Sequence, residues 1–305
     1  MIPNSILITN GKGGVGKTSL AVNLAGIAAH NGWRTLLIDT DPQGNAARDL
    51  GVIADTDDGA NLSDAILARN VLTPMRAVRP NLDFAAGGPV LDTVGADIQA
   101  LMARGQYLTA LGRLETAIAP HAGRYDLIVL DSPPGEPALQ TLAARAAHYL
   151  VIPTAPDDCS IDGLANVFER HSHLRTEGGN PDLHILGVAI TLTVTNATAV
   201  QRRARTALAE LLGDETHVFT NTIRFAQAAA AGARSTGRLA HEYETDAAGA
   251  EPWWKTHAAG ATPVGYSSAA AGLASDYQRL ADEILTAYTD RATGRHLHLT
   301  GKASA

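Results

Sequence analysis

Eight consecutive residues, Gly11-Lys12-Gly13-Gly14-Val15-Gly16-Lys17-Thr18, combine glycine, ammonium and hydroxyl groups in the spacing G-x-x-x-x-G-K-[ST]. Glycines let a backbone curl so that successive N–H groups point inward around phosphate oxygens. A helix starting near Lys17 would aim its positive end at the same anion. Lys17 would neutralise the β- and γ-phosphates of a nucleotide, the Thr18 hydroxyl would ligate Mg²⁺, and Ser19 would extend the nucleotide-binding stretch. The same glycines also spell G-x-G-x-x-G, with Asp39 placed where a dinucleotide fold keeps its ribose-binding acid. Against that alternative stand Lys17-Thr18, where small residues would be needed, and two further acids.

Those acids are Asp41, two residues beyond Asp39, and Asp131, which ends the apolar run DLIVLD. Each precedes a turn, Pro42-Gln43-Gly44 and Ser132-Pro133-Pro134-Gly135. Aspartate often caps such turns without any further task. Three carboxylates at strand ends on one edge, beside a phosphate loop, favour metal and water chemistry instead.

The elements that must position these groups are short apolar runs: Ser5–Thr9, Thr35–Ile38, Leu127–Leu130, Leu150–Ile152 and Ile185–Leu192. They lack two-residue alternation, as strands covered on both faces do. Helical patterns lie between them, at Thr18–His30, Leu139–His148, Ile161–Arg175 and Ala199–Leu212, with patches at Leu62–Ala68, Val94–Ala103 and Leu108–Ile118. This alternation predicts an α/β fold, doubly wound, with a mostly parallel sheet and helices on both faces. Residues 1–305 read as one domain. A Gly-, Ala-, Thr- and Pro-rich stretch, Leu239–Ser268, reads as a loop insertion before a final helix at Leu273–Ala287 and a polar tail.

Composition narrows the class. The net charge is −7 and aromatic residues make up 5%, which argues against a wholly basic nucleic-acid binder or one that reads single strands by stacking. One cysteine, Cys159, excludes a disulfide framework or a Cys-based cluster within the chain and fits a reducing cytosol. No run approaches the ~20 apolar residues of a membrane span, and the first residues lack the pattern of a secretory signal.

Lys12–Thr18 (KGGVGKT), Asp39–Ala46 (DTDPQGNA) and Asp126–Gly135 (DLIVLDSPPG) together resemble the deviant Walker A ATPases of the MinD/ParA family, and specifically the ParA-type partition ATPases. Val151–Leu164, Thr220–Gly232 and Asp276–Leu285 support the resemblance, which covers most of the chain. It implies a P-loop NTPase fold, ATP and Mg²⁺ as cofactors, and slow hydrolysis of ATP without a partner. Lys12 would be the signature lysine, reaching across an ATP-dependent homodimer to the partner's phosphates, as an arginine finger does in trans. Lys12, Lys17 and Asp41 would be the catalytic residues, with Asp41 orienting the attacking water. Thr18, Asp39 and Asp131 would serve the metal and its waters. The expected function is segregation of a plasmid or chromosome by a sandwich dimer that binds non-specific DNA and meets a ParB-like centromere-binding protein, in the cytoplasm and on the nucleoid. The alternative is a related switch that positions another cargo or acts as a scaffold.

The chain departs from that family pattern in three places. Prolines expected ahead of Thr220–Arg224 are missing, which leaves the adenine pocket open. Gln227 stands nearest to where a glutamate is common, and the 239–268 segment is longer and carries Trp253-Trp254, a partner surface or a self-packed loop. For DNA, on the helix whose one face is Val200, Ala204, Leu208 and Leu211, Arg202 and Arg205 are three apart and can share another face. Arg224 matches a DNA-contacting arginine of the family. No helix-turn-helix precedes the P-loop, so operator binding is not expected. The tail lacks an apolar face, so membrane anchoring is not expected either. His171-x-His173 and His296-x-His298 read as surface residues.

Overall fold

The computed structural model describes residues 1–68, 70–157, 160–161, 163–194, 197–212, 217–250 and 266–293. Seven strands form one sheet: β1 (Ser5–Ile8), β2 (Thr35–Asp39), β3 (Met75–Arg79), β4 (Leu82–Ala85), β5 (Leu127–Asp131), β6 (Tyr149–Thr154) and β7 (His184–Ile190). Their order is β3-β4-β2-β5-β1-β6-β7, and every pairing is parallel except β3 with β4. The two phosphate-side strands are set by register: Asp39 of β2 pairs with Asp131 of β5, which in turn pairs with Ile8 of β1, three residues before the glycine loop. Sequence spacing alone could not place those two aspartates side by side. Parallel pairing does.

Apolar runs on both sides of the sheet explain the absence of alternation in the strands. Leu7, Leu36, Ile38, Ile128, Leu130, Ile152 and Ile190 join a core on one face. It is covered by α3 (Ala60–Leu67), α4 (Leu91–Ala103), α6 (Arg113–Ile118), α7 (Pro137–Ala146), α8 (Leu164–Thr176) and α9 (Thr198–Leu212), with the short α5 (Tyr107–Leu111) beside them. Ile6, Ile8, Leu37, Val129, Val151 and Ala189 join the opposite core, under α1 (Lys17–His30), α2 (Asn45–Asp49) and α12 (Ala270–Ala292). Successive strand residues point to opposite faces, so one apolar strand feeds both cores. The helix α1 is buried on nearly all sides, from Leu20 to Ala29, which fixes the direction in which its first turn points.

The structure differs from the sequence reading in several places. The hairpin of β3 and β4 was not expected, since Met75–Arg79 is partly exposed and follows no apolar pattern. The Leu108–Ile118 patch divides at Gly112 into α5 and α6. On α9 only Ala204 and Leu208 of the expected apolar face are buried, while Val200 and Leu211 are about half exposed, at 48% and 46%. Part of the expected loop, Ala240–Gly249, is helical (α11). Its start is fixed by Glu242, whose carboxylate accepts the Leu239 N–H and pairs with Arg79, and by burial of Ala240 and Tyr243. A helix α10 (Gln227–Thr236) precedes it, and α12 runs past both expected ends of Leu273–Ala287. Trp253, Trp254, His296, His298 and Cys159 lie outside the described residues.

Candidate active site

The glycine loop joins β1 to α1. Gly14 and Gly16 have φ of 76° and 80°, left-handed values that a residue with a Cβ adopts at a cost, and side chains at Gly11, Gly14 or Gly16 would meet no atom within 4 Å. The loop is therefore open. Gly16 caps α1 with no side-chain acceptor, so the first-turn N–H groups are left for an anion. Lys17 is buried, at 5% exposure, and its ammonium donates to the Lys12 carbonyl at 2.9 Å. Burial pulls its pKa down, while the Asp131 and Asp41 charges push it back up. Residues 11–19 thus form a continuous cradle with a cation at its floor.

The acids lie on the β2 and β5 side of this loop and are not equivalent. Asp131 is fully buried, and neither carboxylate oxygen has a hydrogen-bond partner, though the neighbouring Thr18 hydroxyl favours its ionised form. Burial first, and the Asp39 charge second, hold its pKa well above the ordinary carboxylate range. Asp39 is also fully buried, but both its oxygens are in use: Oδ1 accepts the Asp41 N–H at 2.9 Å and Oδ2 the Ala46 N–H at 3.1 Å. Burial raises its pKa to about 7, with those backbone donors opposing the rise. These two bonds give Asp39 a structural task as well. It ties the loop of residues 40–45 to the start of α2.

That loop carries Asp41, which is 4% exposed and oriented by the Gln43 N–H at 2.9 Å. The Thr40 N–H and hydroxyl both donate to the Asp131 carbonyl, at 3.0 and 2.6 Å, so the two acid loops are stitched together. Sequence reading missed what roofs them. At Gly87, just past β4, a Cβ would lie 2.5 Å from the Asp41 carbonyl oxygen and 2.9 Å from the Asp39 carboxyl carbon. The Gly87-Gly88-Pro89 turn was a visible signal for this close approach. Thr191, whose hydroxyl donates to the Val15 carbonyl at 2.9 Å, carried no signal at all.

Lys12 reaches the other way. Its ammonium donates to Asp157 Oδ1 at 2.9 Å and to Ser160 Oγ at 2.7 Å, beyond β6. Hydrogen bonding from Ser160, and then from Lys12, holds the Asp157 carboxyl below its ordinary value. Both partners of this ion pair are substantially exposed, at 38% and 51%, so it holds Lys12 weakly.

The arginines expected at DNA have different surroundings. Arg202 is exposed on α9. Arg205 instead donates to the Thr220 carbonyl at 2.7 Å. Arg224 is committed to Asp276 of α12 through its backbone N–H at 3.0 Å, Nε at 2.6 Å and Nη2 at 3.0 Å. Arg202 is thus the most exposed of the three, while Arg205 and Arg224 also hold partners within the fold. His171 and His173 also go separate ways, to the Leu183 carbonyl and the Tyr107 hydroxyl.

The site fits a hydrated divalent cation with a polyphosphate. Among the described residues no three His, Cys, Asp or Glu side chains form a cage. Mg²⁺ uses few protein ligands and keeps its waters and phosphate oxygens, which the Thr18 hydroxyl and an unpartnered Asp131 carboxylate would suit.

An AAA domain family model matches residues 4–185. The chromosome partitioning protein ParA of Myxococcus xanthus is 33% identical over 188 residues, which are 61% of this chain and 64% of that protein's own length. The chromosome partitioning protein ParA of Caulobacter vibrioides is 30% identical over 256 residues, 82% of this chain and 91% of that one. Among solved structures, apo McdA from Cyanothece superposes with a TM-score of 0.71 at 18% identity, over 93% of this chain and 98% of that one. The last likeness is one of fold.

Proposed function

The chain belongs to the ParA-type family of P-loop ATPases, and from that premise we propose that it is an ATP-dependent DNA partition ATPase. One observation carries the reading. A buried Asp131 without hydrogen-bond partners stands in register beside Asp39 at the mouth of a glycine loop with a buried lysine. Leaving a buried carboxylate unpaired is costly unless a ligand completes it. Mg²⁺ held by Thr18 and Asp131 with the phosphates would neutralise charge on the transferring phosphoryl group. Lys17 supports the β- and γ-phosphates from below. Asp41, held by Gln43 and Gly87, orients the attacking water.

Lys12 lies outside this set while it rests on Asp157. Completing the site requires it to leave that weak pair and reach the phosphates of a second copy, which makes the ATP-bound homodimer the active unit. Turnover is slow until a ParB-like centromere-binding protein stimulates it. The dimer binds non-specific DNA in the cytoplasm, on the nucleoid, to segregate a plasmid or chromosome. Among the described residues no helix is long and apolar enough to cross a membrane.

A gel-shift titration on unrelated duplexes, with and without Mg-ATP, tests this reading. Binding should require ATP, ignore sequence, and fall with salt at about −0.9 in log–log slope per phosphate neutralised. Lys17→Ala should lose ATP binding and DNA binding together. Asp41→Ala should keep both while losing hydrolysis, and Arg202→Glu should weaken DNA binding alone. DNA binding that is equal without nucleotide would favour a different cargo for the switch.

A further inference from the structure

Lys12 is held by more than its weak pair with Asp157. Asn10 stands between the end of β1 and the glycine loop, fully buried, with both ends of its side-chain amide engaged. Its Nδ2 donates to the Pro153 carbonyl of β6 at 2.7 Å, and its Oδ1 accepts the Lys12 N–H at 2.9 Å.

The sheet explains why an amide stands here. β1 and β6 run parallel, and the Thr9 N–H still donates to the Val151 carbonyl at 3.2 Å. The next carbonyl along that edge of β6 is that of Pro153, two residues on, and in a regular ladder residue 11 would supply its donor. At Gly11 the chain instead leaves the sheet to form the loop. The Asn10 side chain supplies the missing donor, so the chain turns away without stranding a buried carbonyl. The other end of the same amide then takes the N–H of Lys12. An aspartate would lack the donor, and a serine would keep only an acceptor for the N–H two residues on.

The Lys12 peptide is thus gripped on both sides, its N–H by Asn10 and its carbonyl by the Lys17 ammonium. The two grips are not equivalent. Lys17 is the cation at the floor of the phosphate cradle, so its charge is needed at the nucleotide, whereas the Asn10 amide has no second use. The cradle has its own anchor on the next residue of β6. Thr191 donates through its N–H to the Thr154 carbonyl at 2.8 Å and through its hydroxyl to the Val15 carbonyl. Pro153 through Asn10 therefore carries Lys12, and Thr154 through Thr191 carries Val15.

We propose that Asn10 is the positioning residue for Lys12. It fixes the peptide from which that lysine leaves Asp157 and reaches a second copy. The proposal rests on the ATPase reading and on the role given there to Lys12. A lysine ammonium rides on a long flexible stem, so a small rotation of its peptide becomes a large displacement at Nζ. Loss of the Asn10 grip should misplace the ammonium without dismantling the cradle.

The test compares Asn10→Ala with wild type, Lys12→Ala and Lys17→Ala in the full chain with Mg-ATP. Calorimetry reads ATP affinity, light scattering the dimer and phosphate release the turnover. Asn10→Ala should bind ATP within about three-fold of wild type but lose roughly ten-fold or more in dimer formation and turnover, the cost of a misplaced reacting group. Asn10→Ser, which keeps the acceptor for the Lys12 N–H, should fall between the two, and it carries the same comparison if Asn10→Ala does not fold. Dimer and turnover that survive in the Asn10 variants but are lost in Lys12→Ala would overturn the positioning role and leave the ATPase reading standing. A loss of ATP affinity as large as that of Lys17→Ala would also overturn it, since Asn10 would then shape the cradle itself. Normal dimerisation and turnover of Lys12→Ala would overturn the role of Lys12 and this proposal with it.

Discussion

Asp131 and Asp276 are both buried aspartates, at 0% and 4% exposure, in opposite circumstances. Asp276 accepts hydrogen bonds from the Arg224 backbone, Nε and Nη2, and from Arg279 Nη2 at 2.7 Å. Burial opposes its ionisation, but these donors outweigh it and hold its pKa below the ordinary value. Asp131 is more deeply buried, adds the repulsion of Asp39 and Asp41, and has only the Thr18 hydroxyl and the Lys17 charge, which do not offset them. One carboxylate is completed by the fold. The other awaits completion by something the fold does not contain, and that contrast separates a structural acid from a functional one more sharply than burial does.

The largest expected effect comes from removing the unfinished charge. Asp131→Asn should slow Mg-dependent ATP hydrolysis by roughly 100-fold or more. It should also leave the urea midpoint unchanged or raise it, because a carboxyl whose ionisation the fold opposes is replaced by a neutral amide. A clear fall in the midpoint would show that Asp131 is completed within the fold and would erase the contrast.

Asp276→Asn should do the reverse, costing about 2 kcal/mol of stability, since deleting one partner strands Arg224 and Arg279. The figure lies at the low end for a buried pair because their side chains remain 31% and 56% exposed. The sign with pH follows from a lowered pKa. The stabilisation is complete above the unfolded value of about 3.9 and is lost as pH falls through the folded value. Urea melts from pH 3 to 7 should therefore show a steeper acid limb in wild type than in Asp276→Asn. Parallel limbs would remove the Asp276 network as their cause. The same network bears on any test of Arg224 as a DNA contact. In Arg224→Glu a second carboxylate beside Asp276 would weaken the join to α12, so loss of DNA binding in that variant would not locate a DNA surface.

Much of the phosphate end was legible because its chemistry is local. Gly11–Ser19 is contiguous, the strand before it follows from the apolar run Ile6–Ile8, and the helix after it from the apolar residues between Leu20 and Ala29. Asp39, Asp41 and Asp131 could be picked out by type and strand-end position. Which of them the fold would occupy could not, because the donors to Asp39 come from Asp41 and Ala46 through a loop geometry that pattern does not encode. Arg224 illustrates the same limit over longer range. Its partner Asp276 is 52 residues away, on a helix whose own pattern gave no reason to single out an acid. Pairings over such separation depend on how layers dock, and the arginine's motif position gave no sign of its ion pair with Asp276. The β3 half of the hairpin was illegible for another reason: this edge strand buries too little to leave an apolar signature, while β4 is buried but only four residues long.

The smallest effect concerns Lys12 and Asp157, whose charges are paired but exposed. An ion pair in that setting contributes less than ~1 kcal/mol, so Lys12→Ala and Asp157→Ala should each leave the urea midpoint almost unmoved. The same weakness is what the proposed dimer needs. A lysine held by a buried partner, as Arg224 is by Asp276, could not leave to reach a second copy at tolerable cost. Lys12→Ala should therefore keep ATP affinity, since the phosphate cradle and Lys17 are intact, yet lose the ATP-dependent dimer in light scattering. A destabilisation above 2 kcal/mol in either variant would place the pair with Asp276 as part of the scaffold. Normal dimerisation of Lys12→Ala would leave this lysine a solvated loop residue whose contact with Asp157 has no further consequence.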